Sequence, residues 1–188
     1  MNYIWDNIFQ RKRTEEGLHK NLQDNMLFQD LTEREVRFLE SIVHIRRYHA
    51  GEPVFRQGEI GVGMYIIIKG RIEIFVSDAA SPNDESRDIF ITQLLAKDFF
   101  GELALVEENG RRTASAVARE ESLLIGFFKP DLVEILSRTP ATGTKIVFRL
   151  AEVLGRRLKE TTEKVSELRG ALREMREPPP IDTRTDGT

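Results

Sequence analysis

Phe100-Gly101-Glu102-Leu103-Ala104-Leu105, followed after a short polar turn by Arg111-Arg112-Thr113-Ala114, is the stretch on which the reading of this chain turns. Gly101 lets a backbone come close to a ligand, and the residues after it can form one helical turn whose free N–H groups suit an anion. Arg112 adds a full positive charge. Glu102 is the odd member, because a carboxylate beside a bound phosphate is costly unless the ligand donates a hydrogen bond to it. A ribose 2′-hydroxyl would do so. The segment therefore asks for a small phosphate and a free sugar hydroxyl on one molecule, and it carries no evident means of breaking either.

Taken alone, Gly-Glu-Leu-Ala-Leu is an ordinary helix start, and two adjacent arginines are an ordinary solvated surface. The surroundings decide otherwise. Short segments rich in Val, Ile, Tyr and Phe, at 42–48, 54–56, 64–69 and 71–76, are separated by glycine-containing turns, and similar segments at 89–95, 115–118 and 122–128 bracket the quoted stretch. This is the pattern of a mainly β roll or barrel. Lys69-Gly70 reads as a tight hairpin turn, and Ser77 to Ser86 as a mobile loop rich in turn-forming residues. Before the strands, Ile4, Trp5, Ile8 and Phe9 share one helical face, and Leu27, Phe28, Leu31, Val36, Phe38 and Leu39 suggest further turns. Thr32 with Glu35 forms a capping-box start. After the strands, Pro130-Asp131 opens a helix to about Ser137.

The last structured element carries a second strong pattern. Val147, Ala151, Leu154, Leu158, Thr161, Val165, Leu168, Leu172 and Met175 are spaced by fours and threes, a heptad seam. The simplest partner for such a seam is the same helix of an identical subunit. Glu177-Pro178-Pro179-Pro180 ends the helix, and the polar remainder is expected to be disordered. The expected organisation is an N-terminal helical segment (1–41), a β-roll (42–128), a hinge helix with a coiled-coil dimerisation helix (129–176), and a tail (177–188).

The quoted stretch, together with Gly51-Glu52-Pro53-Val54-Phe55-Arg56-Gln57-Gly58-Glu59, Met64-Tyr65-Ile66-Ile67-Ile68-Lys69-Gly70 and Arg156-Arg157-Leu158-Lys159-Glu160-Thr161-Thr162-Glu163-Lys164-Val165, resembles the cyclic nucleotide-binding domains of the catabolite-activator branch. The resemblance covers residues 25 to 172. It implies a double-stranded β-helix of jelly-roll type with N-terminal helices and a long C-terminal dimerisation helix. It also implies a ligand site in which Gly101 admits the ligand, Glu102 takes the ribose hydroxyl, Arg112 the cyclic phosphate, and Thr113 adds a hydroxyl. Backbone N–H groups near Leu103 and Ala104 complete the cradle, and Thr161 with Thr162 receives the purine. The threonine pair favours cyclic AMP, with cyclic GMP possible. On the residues alone, Thr161 is equally well explained by a bond to its own helix carbonyl. Val62 stands where the family commonly carries a polar residue.

Composition narrows the function classes. At 188 residues with 40% hydrophobic content, the chain can bury one good core. A net charge of −3 gives no global attraction to nucleic acid or an acidic membrane, and Arg11-Lys12-Arg13 and Arg156-Arg157 read as solvated clusters. The absence of cysteine removes disulfides, cysteine nucleophiles and cysteine-ligated clusters. No apolar run reaches membrane-span length and the N-terminus lacks signal-peptide order, so a cytoplasmic location is expected. Gly143-Thr144-Lys145 lacks a leading glycine loop, and His19, His44 and His49 fall at no recognised ligand spacing; no catalytic residue, catalytic cofactor or metal is expected.

In catabolite activators a helix-turn-helix domain follows the dimer helix, whereas here a short polar tail follows. Direct DNA binding is therefore not expected, and the output is expected to be a protein partner, with the N-terminal helices or a segment outside this sequence as the other routes. Two alternatives stand beside the sensor reading: a nucleotide-free dimerisation module of the same fold, and a DNA-binding regulator.

Overall fold

A strand that is apolar at every position has to be covered on both faces, and Met64-Tyr65-Ile66-Ile67 is such a strand. The computed structural model describes residues 17–77 and 88–176. Within it, β3 (Gly63–Lys69) is buried from Gly63 to Ile67. It lies in a four-stranded antiparallel sheet of order β1 (His44–Tyr48), β8 (Ser122–Phe128), β3 and β6 (Phe99–Phe100). The second sheet has the order β2 (Pro53–Phe55), β7 (Ser115–Ala118), β4 (Ile72–Ser77) and β5 (Asp88–Leu94), again antiparallel. The mainly β roll expected from the strand pattern is thus present as two facing sheets.

One hydrophobic cluster joins the sheets: Tyr65, Ile67, Phe100 and Leu124 from the first meet Ile72, Ala116 and Ala118 from the second. The two alanines of β7 leave room for aromatic rings, and Tyr65 stacks on Phe100 with centroids 5.7 Å apart. Strand alternation sends Met64, Ile66, Ile125 and Phe127 to the opposite face, where all four are fully buried. The helical layer supplies their cover. Phe28 meets Phe127 edge to face at 5.8 Å, and Leu22, Leu27, Val36, Leu39 and Ile135 are also buried. Each such side chain contributes about 1.5–3 kcal/mol relative to exposure.

The helices are a segment at 17–23, α1 (Glu33–Glu40), α2 (Lys129–Arg138) and α3 (Pro140–Arg176). α1 begins with the capping box read from the sequence. Thr32 Oγ1 accepts from the Glu35 N–H, and Glu35 Oε2 accepts from the Thr32 N–H at 2.7 Å. The same carboxylate accepts from Lys145 Nζ at 2.8 Å and from Thr142 Oγ1 at 2.9 Å, tying α1 to the first turns of α3. Burial alone would raise the Glu35 pKa, but the hydrogen bonds from Lys145, Thr32 and Thr142 outweigh it and hold the carboxyl at about 2.

Two expectations change. Lys69-Gly70 is not a hairpin turn, because β3 and β4 belong to different sheets. Gly70, at φ +101°, instead carries the chain across beside Ser122, whose Oγ would lie 2.2 Å from a Cβ on residue 70. No β-carbon fits there. The second change is β6, which no periodicity announces because it is two residues long; it pairs Tyr65 with Phe100 and Ile66 with Phe99. The expected N-terminal face of Ile4, Trp5, Ile8 and Phe9, the Arg11-Lys12-Arg13 cluster, the loop beyond Ser77 and the tail from Glu177 lie outside the described residues.

The chain divides into two compact units at Arg149/Leu150. In the second unit the expected seam residues Leu158, Val165, Leu168, Leu172 and Met175 are all exposed on the single chain. Among the described residues, no helix is long and apolar enough to cross a membrane.

Candidate functional site

β6 fastens the quoted stretch to β3, and the chain then turns at Gly101, whose φ of +78° is a left-handed conformation. Glycine adopts it without the penalty of a β-carbon. A 3-10 turn follows over Glu102–Leu105. It places Glu102, Ala104 and Leu105 inside and Leu103 outside. The Ala104 N–H donates to the Gly101 carbonyl at 3.2 Å and is engaged within the turn.

Arg112 is brought back beside this turn by pairing with a loop. Its N–H donates to the Glu59 carbonyl and its carbonyl accepts from the Gly58 N–H, each at 2.8 Å. Arg111 Nη1 also reaches the Gly58 carbonyl, at 2.7 Å. The Arg112 side chain is buried at 8% exposure, which is unusual for a guanidinium. Nη2 donates to the Gly63 carbonyl at 2.7 Å and Nη1 to the Gly101 carbonyl at 3.1 Å. Nε is buried and, among the described residues, has no hydrogen-bond partner. The guanidinium carbon sits 4.0 Å from the centroid of the Phe55 ring.

Burial pushes the Arg112 pKa below the ordinary guanidinium value, while Tyr65, Glu59 and Glu102 act in the opposite sense. A guanidinium starts so high that it remains cationic at any physiological pH. The fold therefore holds a desolvated cation, with one N–H unsatisfied, next to a turn that buries a carboxyl side chain. An unsatisfied buried donor costs about 1–3 kcal/mol, which an arriving anionic acceptor would recover.

The structure thus brings Gly101, Glu102, Leu103, Ala104 and Arg112 together within the first unit. Thr113 follows Arg112 and is exposed. Thr161 and Thr162 belong to the second unit, where both are exposed; Thr161 Oγ1 donates to the Arg157 carbonyl at 2.7 Å and Thr162 Oγ1 to the Leu158 carbonyl at 2.8 Å. The back-bonding alternative read from the sequence is the arrangement observed. Val62, noted as a departure, is exposed, and its carbonyl accepts from the Lys129 N–H at 2.9 Å, so the local turn is well tied.

Three residues were missed from the sequence: Gly63 as a carbonyl acceptor, Glu59 as the backbone partner of Arg112, and Phe55 beneath the guanidinium. No side-chain type marks the first two, since both act through the main chain. The histidines sit elsewhere. His44 lies 3.5 Å from Asp131 and tilts on Phe128, and His49 bonds to Glu121 at 2.8 Å. Among the described residues, no group of His, Asp or Glu is arranged to hold a metal ion.

A family model described as cyclic nucleotide-binding domain matches residues 45–139. The chain is 31% identical to the Cyclic AMP receptor protein of Thermus thermophilus over 139 residues, which cover 74% of this chain and 60% of that protein. It is 28% identical to the cAMP-activated global transcriptional regulator CRP of Salmonella typhimurium over 137 residues, covering 73% and 61%. The crystal structure of Thermus thermophilus Catabolite Activator Protein superposes with a TM-score of 0.66 at 30% identity, covering 77% of this chain and 63% of that one. The chain thus spans about 60% of the length of these curated relatives.

Proposed function

The chain belongs to the cyclic nucleotide-binding domain family in its catabolite-activator form, and on that premise we propose that it is a cyclic AMP sensor that signals as a homodimer to a protein partner. Arg112 binds the cyclic phosphate, Glu102 accepts the ribose 2′-hydroxyl, and Gly101 and the 3-10 turn, through Leu103 and Ala104, admit the ligand closely. Thr113 extends the polar rim. The observation that carries this reading is Arg112: a buried, anchored cation with an unpartnered Nε is poised for an anionic acceptor. Each charge-assisted hydrogen bond there is worth about 1.5–3 kcal/mol.

The base falls to Thr161 and Thr162. Their protons are committed to helix carbonyls, so each hydroxyl has only acceptor capacity left to offer. At the C6 edge the amine of adenine satisfies an acceptor, whereas the carbonyl of guanine at the same position does not. This supports cyclic AMP over cyclic GMP. The exposed heptad positions of α3 supply the dimer seam, which is the route of the signal.

A melting scan against cyclic AMP, cyclic GMP and their linear monophosphates tests the reading. A ligand that binds only the folded state raises the melting temperature, by about 2.7 kcal/mol of stabilisation at a hundredfold excess over Kd. Stabilisation by the cyclic forms, greatest for cyclic AMP, is expected. Absence of any shift at millimolar nucleotide would favour the nucleotide-free module instead.

A further inference from the structure

We propose that Phe55 is a positioning residue for the phosphate-binding arginine, acting through the face of its ring. The proposal rests on the cyclic-nucleotide reading above and adds a residue to it. The guanidinium carbon of Arg112 lies 4.0 Å from the Phe55 centroid, well inside the range of a cation–π contact. Phe55 is itself fixed by two further rings. It lies 6.1 Å from Tyr65 and 5.7 Å from Phe100, and those two stack on each other at 5.7 Å. Phe100 is the residue immediately before Gly101, whose carbonyl accepts from Nη1. The ring platform and one of the two carbonyl anchors therefore come from the same short piece of chain.

The consequence is a planar cation held on three sides. The Gly101 and Gly63 carbonyls grip two terminal nitrogens within the plane, and the Phe55 ring closes one face. The buried Nε–H, which has no hydrogen-bond partner among the described residues, is the donor left over. A polar side chain in the place of Phe55 would take one of the N–H donors, and a carboxylate would neutralise the charge. An aliphatic side chain would pack there without attracting the cation. The aromatic ring alone orients the guanidinium, keeps it dry and leaves its free donors for the ligand.

The test replaces Phe55 with mono-, di- and trifluorinated phenylalanine, which empties the ring face of negative charge with little change in shape, and measures cyclic AMP affinity by calorimetry. Affinity should fall stepwise, by about 3- to 10-fold at the trifluorinated ring, while the ligand-free melting temperature stays constant. On an Arg112→Ala background the same series should leave the residual affinity flat, as a coupling between these two residues requires. Parent-level affinity in the trifluorinated protein, or an equal fall without Arg112, overturns the proposal. A parent protein that binds no cyclic nucleotide overturns the sensor reading and this one with it, an outcome distinct from a flat series on a parent that binds.

Discussion

A β-carbon on Gly101 would lie 2.6 Å from Nη1 of Arg112, so the left-handed turn and the buried cation occupy space that only a glycine leaves open. Gly101→Ala meets both obstacles. The left-handed backbone costs about 1–2 kcal/mol for a residue with a side chain, and the guanidinium must move away from its carbonyl anchor. The expected result is a lower melting temperature and cyclic AMP affinity reduced by on the order of 10-fold or more, read by calorimetry.

Arg112→Ala removes the cation itself. Affinity should fall by on the order of 10- to 100-fold or more, since 1.4 kcal/mol is one decade. Arg112→Lys keeps the charge but cannot reach both the Gly63 and Gly101 carbonyls from one planar fork, so it should recover only part of the loss. Unchanged affinity in the alanine protein removes Arg112 from the site.

Glu35 sets an acid limit on stability. Its carboxyl is held at about 2 in the folded protein against an ordinary value of 4.5, so the unfolded chain takes up the proton first as the pH falls. The stabilisation is therefore complete above pH 4.5 and is lost between there and pH 2. Glu35→Gln should lower stability at neutral pH by about 1–3 kcal/mol and flatten this acid limb in denaturant titrations. An acid limb of unchanged steepness would show that the links to Lys145, Thr32 and Thr142 do not matter energetically.

Thr161→Val and Thr162→Val each remove an acceptor while sparing the phosphate site. The preference for cyclic AMP over cyclic GMP should shrink by about 10-fold or less for each lost hydrogen bond of 0.5–1.5 kcal/mol, with affinity for cyclic GMP nearly constant. Competition binding with both nucleotides measures it. An unaltered ratio counts against the threonine pair as the base contact.

The apolar seam of α3 predicts self-association. Leu168→Glu together with Leu172→Glu places charges at positions that are 58% and 57% exposed on the single chain, so the fold of one subunit should survive. Sedimentation should then report a monomer where the parent is a dimer. A parent that sediments as a monomer at micromolar concentration removes the seam from the mechanism.

Much of this protein is decided by local sequence. Short apolar runs bounded by turn-forming residues marked the strands to within one or two residues, as at Ser115–Ala118 and Ser122–Phe128, because a buried strand needs apolar side chains and ends where the chain must turn. Thr32 and Glu35 marked a helix start because capping is satisfied within four residues. Gly101, Glu102 and Arg112 stood out because their chemistry is unusual in combination. What the chain could not declare locally depends on contacts between distant segments. Which sheet each strand joins turned on Gly70 passing Ser122, and the short β6 exists only because Tyr65 and Ile66 are there to pair with it. The state of Arg112 likewise comes from the carbonyls of Gly63 and Gly101 and the ring of Phe55, brought together across three strands. Side-chain type is written in the sequence, but the burial that makes Arg112 a dry, anchored cation is a property of the assembled roll, because desolvation arises only when separate segments close around the charge.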